Sequence, residues 1–338
     1  MDGGSPVNVP AEFGVQDLLP ALTRLTRLTR LRLTCAHVSG PTALRPLRSA
    51  ELGRLVELRA SFVCVEGEAL ADLLSASLPA LRKLWLCCHS SRRRPPAEVA
   101  AAATALAAAP WAAALEELTL ICRLQDAGVA ALAAVGFTSL RRLALMETAT
   151  TGAALSALAA SPAVVAGHLT HLSIGSCDPE FGRDEPAWAA LAAAPLPALR
   201  ELYVGIPAGS AWQGRDALAR VAWLPRLGSC RLMCGGSLPS DCLRLHELPG
   251  YAALMSRGAL LVSARARGSR AGLRALDPAA DAADDDGDAS GRESDSVYGS
   301  DDEDEDEDES SDASSVDDDD NDDDDGGDDD GYRSDYGP

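Results

Sequence analysis

The chain has 338 residues, 46% of them hydrophobic, and a net charge of −21, a length that suits one large unit or two ordinary ones. That charge averages two different polymers: residues 277–338 hold 30 acidic and 2 basic residues, a net of −28, and residues 1–276 hold 21 acidic and 28 basic residues, a net of +7. Nine cysteines, an odd number without regular spacing, exclude a small disulfide framework, and no apolar run reaches the about 18 residues that a spanning helix needs.

In chain order, the first residues, MDGGSPVNVP, lack the basic start and apolar run of a secretory signal. With unpatterned thiols this points to a reducing compartment, cytosol or nucleus. Residues 1–21 read as an N-terminal flank or cap, with GVQDLLPAL (14–22) a helical remnant closing the first strand. The first full repeat follows almost at once, which suits a fragment of a longer chain.

From residue 22 to 250 the dominant signal is an internal repeat. Leu28-Thr-Arg-Leu31-Arg-Leu33 has the frame L-x-x-L-x-L, and the frame recurs seven more times. Leu81-Leu84-Leu86, Leu115-Leu118-Leu120 and Leu140-Leu143-Leu145 match fully. Leu169-Leu172-Ile174 and Leu199-Leu202-Val204 are conservative variants; Leu55-Leu58-Ala60 and Leu227-Cys230-Leu232 are weaker. The starting leucines stand 27, 26, 34, 25, 29, 30 and 28 residues apart. The closing Leu-x-Leu alternates as a strand with one buried face does. Between the frames lie helical stretches such as Asp126–Leu132, Gly152–Leu158 and Asp216–Val221, opened by Gly or an acidic residue. Prolines 79, 110, 162, 195, 197 and 225 mark their ends. Each unit is therefore a strand, a loop and a returning helix, and about eight of them stack because one alone cannot bury its apolar face. The expected fold is an α/β solenoid. Residues 251–276 read as an Arg-rich C-terminal cap holding Arg257, Arg265, Arg267, Arg270 and Arg274.

These frames resemble the leucine-rich-repeat family, and among its members the ribonuclease-inhibitor-like class with long strand–loop–helix units. The resemblance implies a curved horseshoe with a parallel concave sheet and convex helices. The family places Asn or Cys three residues after the last leucine of the frame. Cys177 fits, but the other positions hold Ala36, Val63, His89, Arg123, Thr148, Pro207 and Gly235. The side-chain ladder that serves the loop backbone is therefore incomplete, and irregular curvature is expected.

If the leucines point inward, the intervening residues face solvent on the concave side. One such row reads Arg32, Arg59, Trp85, Thr119, Ala144, Ser173, Tyr203, Arg231; two positions earlier stand Arg30, Glu57, Lys83, Glu117, Arg142, His171, Glu201, Ser229. Eight strands roughly 4.8 Å apart make a face on the order of 35–40 Å long. Arg and aromatic residues are the types enriched at interface hot spots. Arg30, Arg32, Arg59, Lys83, Trp85, Arg142, Tyr203 and Arg231 are thus the candidate contacts for a protein partner, weighed against a solvated face with Trp85 on arginine stems.

Residues 277–338, with Asp301–Glu309 and Asp317–Asp320, cannot offset ordering entropy by burial, and disorder is expected. Three roles stay open: a solubilising tail, a lure for basic proteins such as histones, or a cover over Arg92–Arg94 and the arginines of the cap. Ser300, Ser314 and Ser315 each have an acidic residue three positions on, a context for phosphorylation.

Two families share a layout of repeats followed by acid. The acidic leucine-rich nuclear phosphoproteins, which act on histones and phosphatases, have shorter and fewer repeats. Ran GTPase-activating proteins have comparable repeats, but none of their GTPase contacts maps here. F-box repeat proteins hold ubiquitination substrates on such horseshoes, but their F-box precedes the repeats, where about twenty residues leave no room. Related repeat proteins also occur in cilia and on the cytoskeleton.

Catalytic signatures are lacking. The single lysine, Lys83, stands in no phosphate loop, and neither a G-x-S-x-G nor an H-E-x-x-H sequence occurs. Cys230, Cys234, Cys242 and His246 have a zinc-like count but no common zinc spacing. No cofactor is expected, nor a nucleic-acid partner, since +7 is diffuse and the tail repels phosphate. The expected function is a non-catalytic interaction module holding a protein on its concave face, with a tail that binds basic proteins as the alternative, and a GTPase-activating or ligase-adaptor role after that.

Overall fold

The computed structural model describes residues 7–9, 26–38, 44–49, 52–65, 67–88, 96–161, 167–208, 212–235, 242 and 244–265. The segment 14–22, Arg92–Arg94, most of the arginines of the expected cap, and the acidic tail with Ser300, Ser314 and Ser315 lie outside the described residues.

The chain is α/β; among the described residues, one open parallel sheet has ten strands that follow one another in sequence order. They are β1 (Val7–Val9), β2 (Arg30–Val38), β3 (Glu57–Val65), β4 (Lys83–Cys88), β5 (Glu117–Ile121), β6 (Arg142–Thr148), β7 (His171–Ser176), β8 (Glu201–Ile206), β9 (Ser229–Gly235) and β10 (Leu260–Arg265). Parallel neighbours require crossovers, and helices supply them: α1 (Arg45–Ser49), α2 (Gly67–Leu74), α3 (Pro96–Ala108), α4 (Gln125–Ala133), α5 (Gly152–Ala159), α6 (Glu185–Ala193), α7 (Gly214–Ala219) and α8 (Pro249–Met255). Successive helices pack on one another as successive strands pair, the nearest-neighbour stacking of a repeat array. Among the described residues, no helix is long and apolar enough to cross a membrane.

The repeat frame is the core. Leu31, Leu58, Leu84, Leu118, Leu143, Leu172, Leu202, Cys230 and Leu260 pair in one unbroken register across β2 to β10. Of the residues of the eight frames, Leu28 is partly buried and all others are buried, the weak positions Ala60 and Cys230 included. Helix residues Leu73, Leu106, Leu132, Leu155, Leu191 and Leu218 close the same core from the other side. Edge-to-face rings run through it, Phe181 to Trp188 to Trp212 to Tyr251, with centroids 5.4, 6.0 and 6.2 Å apart.

Among the described residues, two helix starts carry side-chain caps, while α4, α7 and α8 begin without one. Asp184 caps α6, accepting from Ala187 N at 3.1 Å, with Pro186 in the first turn. Thr151 caps α5, accepting from Ala153 N. Thr104 leaves α3 unbroken, and the helix stops before Pro110 as expected. Pro225, expected to end a helix, instead lies inside a 3-10 turn (Leu224–Arg226), because α7 already ends at Ala219.

The sheet also extends beyond the eight frames at both ends. The N-terminal flank contributes β1, with Val7 and Val9 in register with Leu31 and Leu33. The expected cap contributes β10, where Leu260 and Val262 pair with Cys230 and Leu232. That ninth frame escaped the pattern because Arg257 stands at its leading position. Its guanidinium donates to the carbonyls of Pro225 and Leu227 instead of filling an apolar slot.

Candidate functional site

Alternation along each strand sends the leucines to the helices and the residues between them to the opposite face. The two rows read from the sequence are brought together as expected. Arg32, Arg59, Trp85, Thr119, Ala144, Ser173, Tyr203 and Arg231 are register partners on consecutive strands, and so are Arg30, Glu57, Lys83, Glu117, Arg142, His171, Glu201 and Ser229.

The second row is an internally paired charge ladder. Glu57 receives Arg59 Nε at 2.6 Å and lies 3.6 Å from Arg30 Nε, while Lys83 Nζ meets Glu117 at 2.7 Å. His171 Nε2 lies 2.9 Å from both Arg142 Nη2 and Glu201 Oε1, accepting from one or donating to the other according to its tautomer. Burial, and then the neighbouring Arg142 charge, hold the His171 pKa below its ordinary value against the opposing pull of Glu201. Arg59, Lys83 and Arg142 therefore already have partners within the face. Arg32 and Arg231 are exposed and make no ion pair or hydrogen bond among the described residues.

Tyr203 differs most from the expectation of an exposed contact. It is only 9% exposed, and its hydroxyl points at Met233 Sδ, 2.8 Å away. With Cys87, Ile121 and Met146 it forms an apolar cluster against which Trp85 and Met233 pack. All six come from strands, so this cluster is separate from the main core. Trp85 Nε1 is buried there without a hydrogen-bond partner among the described residues.

Beside the cluster lies a cavity of about 420 Å³ that the sequence reading did not find. Gly175 and Gly205 form its floor. A Cβ on Gly175 would meet Met146 Cε at 2.8 Å, and a Cβ on either glycine would stand 3.2 Å from the other's Cα. Met146, Tyr203 and Met233 stand along it, with Arg123 and Glu147 among its lining residues. The strand row one position past the frame explains the hollow: it reads Cys87, Ile121, Met146, Gly175, Gly205, Met233. Two missing side chains between two methionines leave a depression. The legible signal was a glycine following the last frame residue in two consecutive strands, a mark of close backbone approach.

Thiols cluster at the same edge. Cys88 and Cys122 both line the cavity; the Cys122 thiol is pushed well up by its hydrogen bond with Cys88 and by burial, so it stays protonated. Cys177 is exposed on another wall. The zinc-like set does not converge: Cys230 is buried in β9, with burial raising its pKa to about 12. Cys234 and Cys242 touch through sulfurs 3.6 Å apart, and His246 is exposed. Among the described residues, no three His, Cys, Asp or Glu side chains group as metal ligands.

No protein-family model matches the chain, and no curated protein matches it at a significant level.

Proposed function

We propose that the chain is a leucine-rich-repeat solenoid of the ribonuclease-inhibitor-like class, curved into a horseshoe, whose sheet face holds a protein partner without catalysing a reaction. The observation that carries this reading is the strand-only apolar cluster of Trp85, Cys87, Ile121, Met146, Tyr203 and Met233. A sheet covered by helices on one side needs no apolar residues on the other for its core. An apolar patch rimmed by charge is the anatomy of an interface. Arg32 and Arg231 flank the cluster with uncommitted guanidinium groups, the chemistry favoured at hot spots. The reducing compartment proposed from the unpatterned thiols suits such a module.

The second reading, a tail that captures basic proteins, rests on the −28 net charge of residues 277–338. Affinity capture with mass spectrometry separates the two. The full chain is compared with a chain cut after Ala280 and with the Arg32→Glu/Trp85→Ala double variant, at low and high salt. Partners that survive the cut and the salt but vanish with the double variant support the sheet face. Basic partners that vanish with the tail, and with salt, overturn it in favour of the polyanion.

A further inference from the structure

The cavity over Gly175 and Gly205 has a chemistry specific enough to name what it takes. Its size, about 420 Å³, falls within the roughly 300–1,000 Å³ of ordinary ligand pockets and admits one aromatic side chain with part of its backbone. Met146 and Met233 stand on opposite sides of the glycine floor. Thioethers adapt to an entering group and make favourable sulfur–aromatic contacts.

The charges around it are unbalanced. On the two rows that face away from the helices and the cavity rim the cations are Arg30, Arg32, Arg59, Lys83, Arg123, Arg142 and Arg231, and the anions are Glu57, Glu117, Glu147 and Glu201. Glu57, Glu117 and Glu201 are each taken by a neighbour on the sheet, and Glu147 also has a partner. The cations left over are Arg32, Arg123 and Arg231. Arg123 lines the cavity, and Arg231 stands two residues before Met233 on the same face of β9, beside Tyr203. The strand that supplies Met146 and Glu147 is irregular at this point. The β6–β7 register shifts between Leu145 and Thr148, and Glu147 has φ 55°, in the left-handed region that side chains other than glycine rarely adopt. Bulges and strain of this kind gather at functional sites.

We propose that this cavity anchors one aromatic side chain of an acidic, extended segment of the partner protein, whose flanking carboxylates pair with Arg123 and Arg231. The inference rests on the reading that the sheet face holds a protein, and it names that protein's contact segment.

The test uses the full chain and fluorescence anisotropy with three labelled synthetic nonapeptides. One is Asp-Glu-Asp-Ser-Phe-Ser-Asp-Glu-Asp, one has Ser in place of Phe, and one has Lys at every acidic position. The Phe peptide is expected to bind about tenfold tighter than either control, the discrimination that burying one apolar side chain provides. Arg123→Glu and Arg231→Glu, both exposed substitutions, are each expected to weaken it about fivefold or more by reversing a charge. Gly175→Val, which drives Met146 into the cavity, is expected to abolish the difference between Phe and Ser peptides, with its melting curve confirming a folded chain. Equal binding of the Phe and Ser peptides, indifference to both arginine reversals, or no binding of the Phe peptide near millimolar concentration overturns the proposal. Those results leave intact the reading that the sheet face holds a partner, which depends on the Arg32/Trp85 variant.

Discussion

His171 shows how strand register gives one side chain a defined environment. It stands on β7 between Arg142 of β6 and Glu201 of β8, with Thr170 Oγ1 2.8 Å from its Nδ1. Because burial and Arg142 lower its pKa, the unfolded chain binds more protons than the folded one from near the ordinary value of about 6.5 downward. Stability is therefore expected to fall as pH drops through that window, and to level off below the folded value. An NMR titration of the imidazole is expected to give a midpoint below about 6.5, moving up in Arg142→Ala; a midpoint at or above it would contradict this electrostatic account. Gly152 makes a sharper steric case. A Cβ there would stand against Asp184, whose carboxylate caps α6. Gly152→Ala is expected to cost about 1–3 kcal/mol in urea unfolding, and a change within about 0.5 kcal/mol would show that Asp184 moves aside without cost. At this scale the sequence revealed which residues share a face, because period two is a property of every strand. It did not reveal that Arg59, Lys83 and Arg142 are already paired, since pairing depends on which side chains the register sets opposite one another. Tyr203 was misplaced for a similar reason: Met233 on the next strand, which its hydroxyl meets, draws it down onto the sheet.

At the scale of the element, the loop ladder is the instructive case. The family pattern put Cys177 in the role of serving the loop backbone, yet Cys177 is exposed and only approaches the Glu147 carbonyl at 3.9 Å. The work falls one residue earlier. Ser176 Oγ accepts from Thr150 N and Asp178 N, both at 3.0 Å, and lies against the carbonyls of Thr148 and Thr150. Thr148 Oγ1 donates to Gly175 O at 3.0 Å. The shift follows from the bulge in β6, which sets Thr148 opposite Ser176 and displaces the loop by a residue. Frame spacing cannot show a bulge. Ser176→Ala leaves buried donors without an acceptor, so a loss of about 1–3 kcal/mol is expected. Cys177→Ala is expected to change stability by less than about 0.5 kcal/mol. The reverse order in thermal unfolding would restore the ladder to Cys177. Neighbouring loops are tied in the same manner, with Asp126 accepting from Thr151 N at 2.8 Å and from Thr151 Oγ1 at 2.7 Å.

On the scale of the whole molecule, each unit touches chiefly its neighbours, and stability is a sum of unit and interface contributions. The frames predicted eight strands and found them, since a buried leucine ladder is written plainly in the chain. The strands at either end were missed because Val7-Asn-Val9 carries too short a pattern and Arg257 interrupts the ninth frame. Among the described residues β10 pairs on one side only, and it carries Leu261 at 55% exposure. Hydrogen exchange is expected to be slowest in β6 to β8 and fastest in β10 among the described strands of six or more residues; uniform protection would point to one cooperative block instead of an array. The side of this array that meets a partner is the central claim, and site-specific photo-crosslinking measures it most directly. A photoreactive residue is placed at Thr119, half-buried on the face of β5 opposite the helices, or at Ala130, exposed on α4, and the full chain is irradiated with its captured partner. The expected result is an adduct from position 119 and none from position 130, unchanged when the tail is cut after Ala280. An adduct from position 130 alone, or one lost with the tail, would contradict the account.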